Sequence, residues 1–394
     1  MVQTLPGLVS EAEPETMAEL YLLLGEAYWE AGAINDASRQ LEQATRLLPE
    51  TDPQRGEALV LLAKIEETTR QPPDEARTEA KQKYASVISK YPGTPAVLPA
   101  LLGLAEIEAA TGDFDASAAA YSVLIKELAT GLKHRDVRTE VVAASLLDRF
   151  SGRFDSGDID NALKFASLAE TAFSAASVPP DILLAIARSQ RRLAQDKLAT
   201  VKSESKILDL SHLDPATREQ ARLELVAAGQ YFRRHAERVG VTDNDAYGSS
   251  LWMAAESFDL AGDPDQAIPL YLDYVKFFPN EPRQPEARFR LAQAYAAKGD
   301  YGMSAEYYRG LKEEGRSAAN KVGPFGDASY VPLAKTLLSD GDPSNDSEAE
   351  QLLEQVVKGL VGEPTTPQFR DALVELAALR RVRGDHTGAA GLRQ

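Results

Sequence analysis

From Glu19 to Pro49, apolar and small side chains return at every third or fourth position, pause at a glycine and stop at a proline. Tyr21, Leu24, Gly25 and Tyr28 fall on one side of a first helix, and Ala37, Leu41 and Ala44 on one side of a second. Gly32 supplies the turn between them, and Pro49 closes the unit. Spacings of three and four lay a single apolar stripe along a helix, and a short turn folds two such stripes together. The pattern is then rewritten. Leu59, Leu62, Ala63 and Glu66 begin a second unit that Ala80, Tyr84, Val87 and Pro92 complete. Thr68 to Glu75 is expected to form an enlarged loop, because the tandem Pro72-Pro73 stops a helix. Leu101, Leu104 and Ala105, the turn Gly112-Asp113, then Tyr121 and Leu124 make a third unit, with Asp115 expected to cap its second helix.

Between Gly131 and Asn244 the pattern decays. Gly157-Asp158 with Ala162, Ala166 and Ala169 still reads as a turn and a second helix, preceded by Leu146. Asp181 to Ser205 is apolar at helical spacing, and Asp214-Pro215 opens another long helix reaching Val239. Aspartate as cap with proline in the first turn is a strong helix start. Regularity returns with Leu251, Ala254, Ala255, Phe258, Gly262, Ala267, Tyr271, Tyr274 and Pro279. Leu291, Ala292, Tyr295, Gly299-Asp300, Tyr308 and Leu311 follow, then a glycine-containing loop over 315–327. Leu333, Ala334, Leu337, Gly341, Ala349, Leu353 and Val356 form the next unit, and Leu373, Leu376, Ala377, Gly384 and Ala389 the last. The organisation expected is a flexible acidic leader (1–16), a regular block (17–130), atypical helical repeats (131–245) and a second regular block (246–394). Its last repeat is incomplete, which suggests a piece of a longer protein.

These units resemble the tetratricopeptide repeat, a helix-turn-helix of about 34 residues with small-residue and proline slots where this chain has them. The resemblance implies an all-α, right-handed superhelical solenoid of about nine helix pairs, whose core is buried between neighbours and whose concave face binds proteins. Two stretches, SKYPGTPAVLPALLGLAEIEAATGDFDASAAAYSVLIKE and KFFPNEPRQPEARFRLAQAYAAKGDYGMSAEYYRGL, are similar to bacterial cell-envelope members. Those members include outer-membrane assembly lipoproteins and Tol-Pal coordinator proteins. The resemblance therefore favours a periplasmic or envelope setting, with cytoplasm as the alternative.

Composition narrows the partner. A net charge of −17 argues against nucleic acid and an anionic membrane surface. The chain has no cysteine, which removes thiolate chemistry and disulfides. No run approaches the roughly 18 apolar residues of a membrane span, and Met1 to Thr16 does not read as a signal peptide. His134, His212, His235 and His386 are scattered without zinc-ligand spacing, so neither a metal nor a cofactor is expected, and no carboxylate pair stands out for catalysis.

In the family, the first helix of each pair lines the groove. By that register the groove is expected to present Glu19, Leu22, Glu26, Trp29 and Glu30, then Ser249, Trp252, Glu256 and Asp259, then Glu286, Phe289 and Gln293. Both tryptophans fall on it. Aromatics flanked by carboxylates suit a protein or peptide segment with basic and apolar side chains. The slots of the asparagine clamp that binds carboxylate termini hold Leu23, Met253 and Arg290, so that mode is not expected. The leading expectation is a non-catalytic interaction scaffold. The alternatives are a structural protein self-associating through its C-terminal end and a glycan-processing helical-repeat enzyme.

Overall fold

The computed structural model describes residues 14–69, 72–200, 210–240, 242–316 and 322–391. Most of the expected leader, the last residues of the helix expected to reach Ser205, and part of the 315–327 loop lie outside these. Every regular element among the described residues is helical, and the chain divides into two compact units, Met1–Ala185 and Ile186–Gln394.

In the N-terminal unit, α1 (Pro14–Glu30) packs on α2 (Ile34–Leu47), α3 (Pro53–Thr69) on α4 (Pro73–Lys90), α5 (Val97–Thr111) on α6 (Phe114–Ala129), and α7 (Thr139–Asp155) on α8 (Ile159–Thr171). The first helices α1, α3 and α5 also touch in sequence, which gives them a shared face. The division between units falls within α9 (Pro180–Ala199). In the C-terminal unit, α10 (Pro215–Val239) packs on α11 (Asn244–Leu260), which pairs with α12 (Pro264–Phe277). There follow α13 (Gln284–Lys298) with α14 (Tyr301–Gly315), the short α15 (Phe325–Ala328), α16 (Tyr330–Ser339) with α17 (Asp346–Val357), and α18 (Pro367–Val382) with α19 (His386–Gly391). The section expected to be atypical thus contains one regular pair and the two longer helices α9 and α10. Ala194 and Leu198 of α9 share a core with Leu213, Ala221, Leu225 and Ala261.

The turns follow from two adjacent residues. Gly112 takes φ +88, closing α5 in the left-handed conformation that glycine adopts without steric cost. The next residue, Asp113, accepts the Ala116 N–H and caps α6. Gly262-Asp263 and Gly299-Asp300 repeat this, capping through the Gln266 and Met303 N–H groups. The cap of α6 is therefore Asp113 and not Asp115, which lies in the first turn and pairs with Lys164 at 2.5 Å. Asp214 caps α10 as expected, accepting from Ala216 and Thr217. The tandem prolines do less than expected to enlarge a loop: α3 runs on to Thr69, and Pro73 sits in the first turn of α4, where a missing N–H is harmless.

The core is built on the apolar slots. Tyr84, Tyr121, Tyr271 and Tyr308, each from the second helix of a pair, are among the largest fully buried side chains. Each buries about 150–250 Å², so these tyrosines contribute heavily to holding successive pairs together. Gly103 of α5 lies against the Tyr84 ring, where a side chain would not fit.

Candidate functional site

In the N-terminal unit the shared face of α1, α3 and α5 is crossed by the connection from α6 to α7. Gly131, at φ +92, turns the chain away from α6. Residues 132–138 have no regular helical structure, Val137 is buried at 2% exposure, and Arg138 takes extended geometry before α7 begins. Between those fixed ends lie Lys133, His134, Arg135 and Asp136. The Arg135 guanidinium approaches Glu26 at 3.2 Å, Glu30 at 3.9 Å and its neighbour Asp136 at 3.4 Å. His134 Nδ1 accepts the Asp136 N–H at 3.1 Å. The ring hydrogen is therefore assigned to Nε2, which faces Glu57 at 3.4 Å. A cavity of about 280 Å³ remains under this strap, floored by Val60, Leu61, Pro95 and Pro99 and rimmed by Glu26, Glu57 and Lys64. Burial pushes the Glu26 carboxyl above its ordinary range; Arg135 opposes that shift, and Glu57 and Glu30 add to it.

The expected residues of α1 divide. Glu19 and Glu30 are exposed and Glu26 is half-buried. Leu22, expected on the groove, is 7% exposed and belongs to the core cluster with Ala18, Ala37, Leu41 and Ile65. Trp29 is half-buried and packs on the same cluster.

In the C-terminal unit the α11 stripe is covered more thoroughly. Trp252 is 3% exposed, a wedge in the core rather than an accessible anchor. Its indole meets Tyr271 and Tyr274 edge-on at 5.9 and 5.4 Å, and the Arg283 guanidinium lies 5.3 Å from its centroid. A cleft of about 500 Å³ opens beside it, lined by Asp245, the exposed Ser249, Tyr274, Phe278 and Glu281. Glu256 is ion-paired with Arg191, which also donates to Ser257 Oγ at 3.2 Å. Asp259 accepts from Tyr271 Oη at 3.3 Å and Arg290 at 3.4 Å. Burial nevertheless raises the Asp259 carboxyl above its usual value, opposed by Arg290 and Tyr271. Glu286 reaches Arg290 at 3.6 Å. Phe289 is half-buried, edge-on to Tyr308 at 5.4 Å and tilted against Phe325 at 5.6 Å. Gln293 is exposed, and with Asp259 and Arg290 it lines a cleft of about 610 Å³.

The structure thus brings Glu26 and Glu30 together around one arginine and Asp259 with Gln293 around one cleft. Leu22 and Trp252 go to the core. Sequence reasoning missed Glu57, His134 and Arg135. The signal was the basic cluster Lys133-His134-Arg135 directly after the α6 stop at Gly131, in an otherwise acidic chain. Among the described residues no group of three His, Asp or Glu is placed to hold a metal ion, and no helix is long and apolar enough to cross a membrane.

The tetratricopeptide repeat family matches residues 252–319. No curated protein sequence matches the chain. Similar solved structures include a signal transduction ATPase with numerous domains and a tetratricopeptide repeat sensor, from Pyrococcus horikoshii, at 10% identity and a TM-score of 0.40. That match covers 94% of this chain and 50% of the other, so the chain spans about half the length of that protein. Yeast Tom70 is similar at 14% identity over 95% of this chain and 83% of that one, with a TM-score of 0.29. The P58(IPK) TPR domain is similar at 15% identity over 95% and 91%, with a TM-score of 0.25.

Proposed function

We propose that the chain is a non-catalytic protein-binding scaffold that receives partner segments on faces built from the first helices of its repeats. The observation that carries this is the α1–α3–α5 face, where Glu26, Glu57 and Lys64 line a cleft of about 280 Å³ together with the apolar Val60, Leu61 and Pro99. Carboxylates at the rim and apolar surface below suit a segment with basic and apolar side chains. The envelope setting rests on the resemblance of the two quoted stretches, and cytoplasm is the alternative. Selection of peptides from a random library on the immobilised chain tests the reading. Basic-apolar sequences should be enriched and should be lost when Glu26 and Glu57 are both changed to Lys. Enrichment that ignores the charge reversal would refute the site.

A second reading is self-association through the C-terminal repeats, where Leu360, Val374 and Val382 are 71%, 67% and 84% exposed. Light scattering across a concentration series tests it: a particle mass that rises with concentration supports assembly, and a constant monomer mass opposes it.

A further inference from the structure

The strap between α6 and α7 carries the chemistry that the face beneath it would demand of a partner. We infer that Leu132–Asp136 occupies in cis a site for an extended, arginine-bearing peptide, and that a partner segment of this kind binds by displacing it. The inference rests on the scaffold reading and deepens it by naming the partner's chemistry and the contact that regulates access.

The strap is presented as a bound peptide would be, without regular helical structure and between fixed ends. Arg135 is set against Glu26 and Glu30, and the His134 Nε2–H against Glu57, all on helices far away in the chain. The middle is held unevenly: the His134 side chain is only 10% exposed against Glu57, whereas Arg135 lies open. The Arg135 side chain is 54% exposed, so its ion pairs are screened by solvent and individually weak. The C-terminal end is firmly held: Val137 is buried, and α7 starts just beyond it. The fit is also incomplete, since a cavity of about 280 Å³ stays open over Leu61 and Pro99. A competing segment with a guanidinium for Glu26 and Glu30, a hydrogen-bond donor for Glu57 and an apolar side chain for the cavity would make every strap contact and fill the space the strap leaves. The strap competes from an effective concentration on the order of millimolar, because it is tethered at both ends. Its occupancy therefore lowers the apparent affinity of the site in proportion to the fraction closed.

The test uses the full chain and a fluorescein-labelled peptide with the sequence of residues 131–138, read by anisotropy. Replacing Leu132–Asp136 with five glycine and serine residues, while keeping Gly131 and Val137, should tighten peptide binding on the order of tenfold over the parent. Arg135→Ala, a milder change should the replacement perturb folding, should tighten it about threefold. Adding Glu26→Gln and Glu57→Gln to either variant should remove the gain. Equal affinity for parent, Arg135→Ala and replaced chain would overturn the inference, as would a gain that survives the glutamine changes. A library of arginine- and leucine-containing peptides separates the two levels. If its members bind parent and replaced chain equally, the strap is no competitor and the scaffold reading stands. If neither the library nor the strap peptide binds any variant, both fall.

Discussion

Gly103 lies where α5 meets the tip of the Tyr84 ring, and alanine at this position tests how rigidly one repeat interlocks with the next. A Cβ there would fall 2.4 Å from Tyr84 Cζ, 2.5 Å from Cε2 and 2.8 Å from Oη, where carbon atoms pack best at about 3.5–4.0 Å. The ring cannot swing aside, because Tyr84 is fully buried in a cluster with Val60, Ala63, Val87 and Ala100. Relief requires α4 and α5 to part, and overpacking of this kind costs typically about 1–3 kcal/mol. Helix propensity opposes that loss, since alanine is better than glycine in a helix interior by about 1 kcal/mol. Gly152 isolates the clash. It lies in α7 of the same unit, is exposed, and has nothing within 4 Å of its would-be Cβ. Both alanines share the propensity gain, so the gap between Gly103→Ala and Gly152→Ala is the clash itself, about 1–3 kcal/mol. In a unit of this size that separates the melting temperatures by roughly 2–4 °C per kcal/mol. Urea and thermal melts followed by far-ultraviolet circular dichroism measure it. If the two variants shift equally, the Tyr84 contact is not the rigid interlock described, and the repeat register around it is wrong.

Acrylamide quenching of Trp252→Phe, which leaves Trp29, should show an accessible indole, whereas Trp29→Phe should leave a shielded one; equal quenching would remove Trp252 from the core. Ala37→Asp and Ala267→Asp each place a carboxylate at a fully buried helix crossing and should cost on the order of 4 kcal/mol, so parent-like melting of either would show a false register. Glu348 accepts from Arg309 at 3.2 and 2.7 Å, and that bonding outweighs burial and holds its carboxyl below the usual value. A lowered folded value gives stability that is present above the unfolded value of about 4.3 and lost as pH falls through the folded one. Arg309→Met should therefore flatten the decline of melting temperature below about pH 4, and an unchanged slope would deny the pair its role.

What was legible in the sequence is what the chain encodes locally. Ala37, Leu41, Tyr84, Tyr121, Ala267 and Tyr271 were assigned inward by spacing alone, and all are fully buried. Glycine followed by aspartate marks the α5–α6, α11–α12 and α13–α14 turns because one residue ends a helix and the next starts another. The cap of α6 was misplaced by two residues because aspartates flank Phe114 on both sides, and only backbone geometry selects Asp113. Trp252 was misplaced for a different reason. Spacing puts it beside the core stripe of α11, but Tyr274 from α12 and Arg283 from the loop beyond close over it. The basic cluster Lys133-His134-Arg135 marks the strap in the sequence, but nothing in residues 131–138 names Glu26 or Glu57 as its partners. Those pairings exist only once three helix pairs have stacked.

The two units treat the carboxylates of their first helices differently, and that difference supports placing the proposed binding face in the N-terminal unit. In the C-terminal unit Glu256 is met by Arg191 of α9, and Asp259 by Tyr271 of α12 and Arg290 of α13. Those partners sit on helices rather than on a loop, with the Arg191 side chain 13% exposed. In the N-terminal unit Glu26, Glu30 and Glu57 are met from an irregular loop, the first two by the exposed Arg135 and the third by His134, whose side chain is 10% exposed. A cation on such a loop can leave at the loss of a few screened contacts. The Glu26 carboxyl stays above its ordinary range even with Arg135 beside it, so the strap compensates its burial only in part. A partner that brought a better-fitted cation would gain there, whereas at Glu256 it would have to displace the largely buried Arg191 side chain.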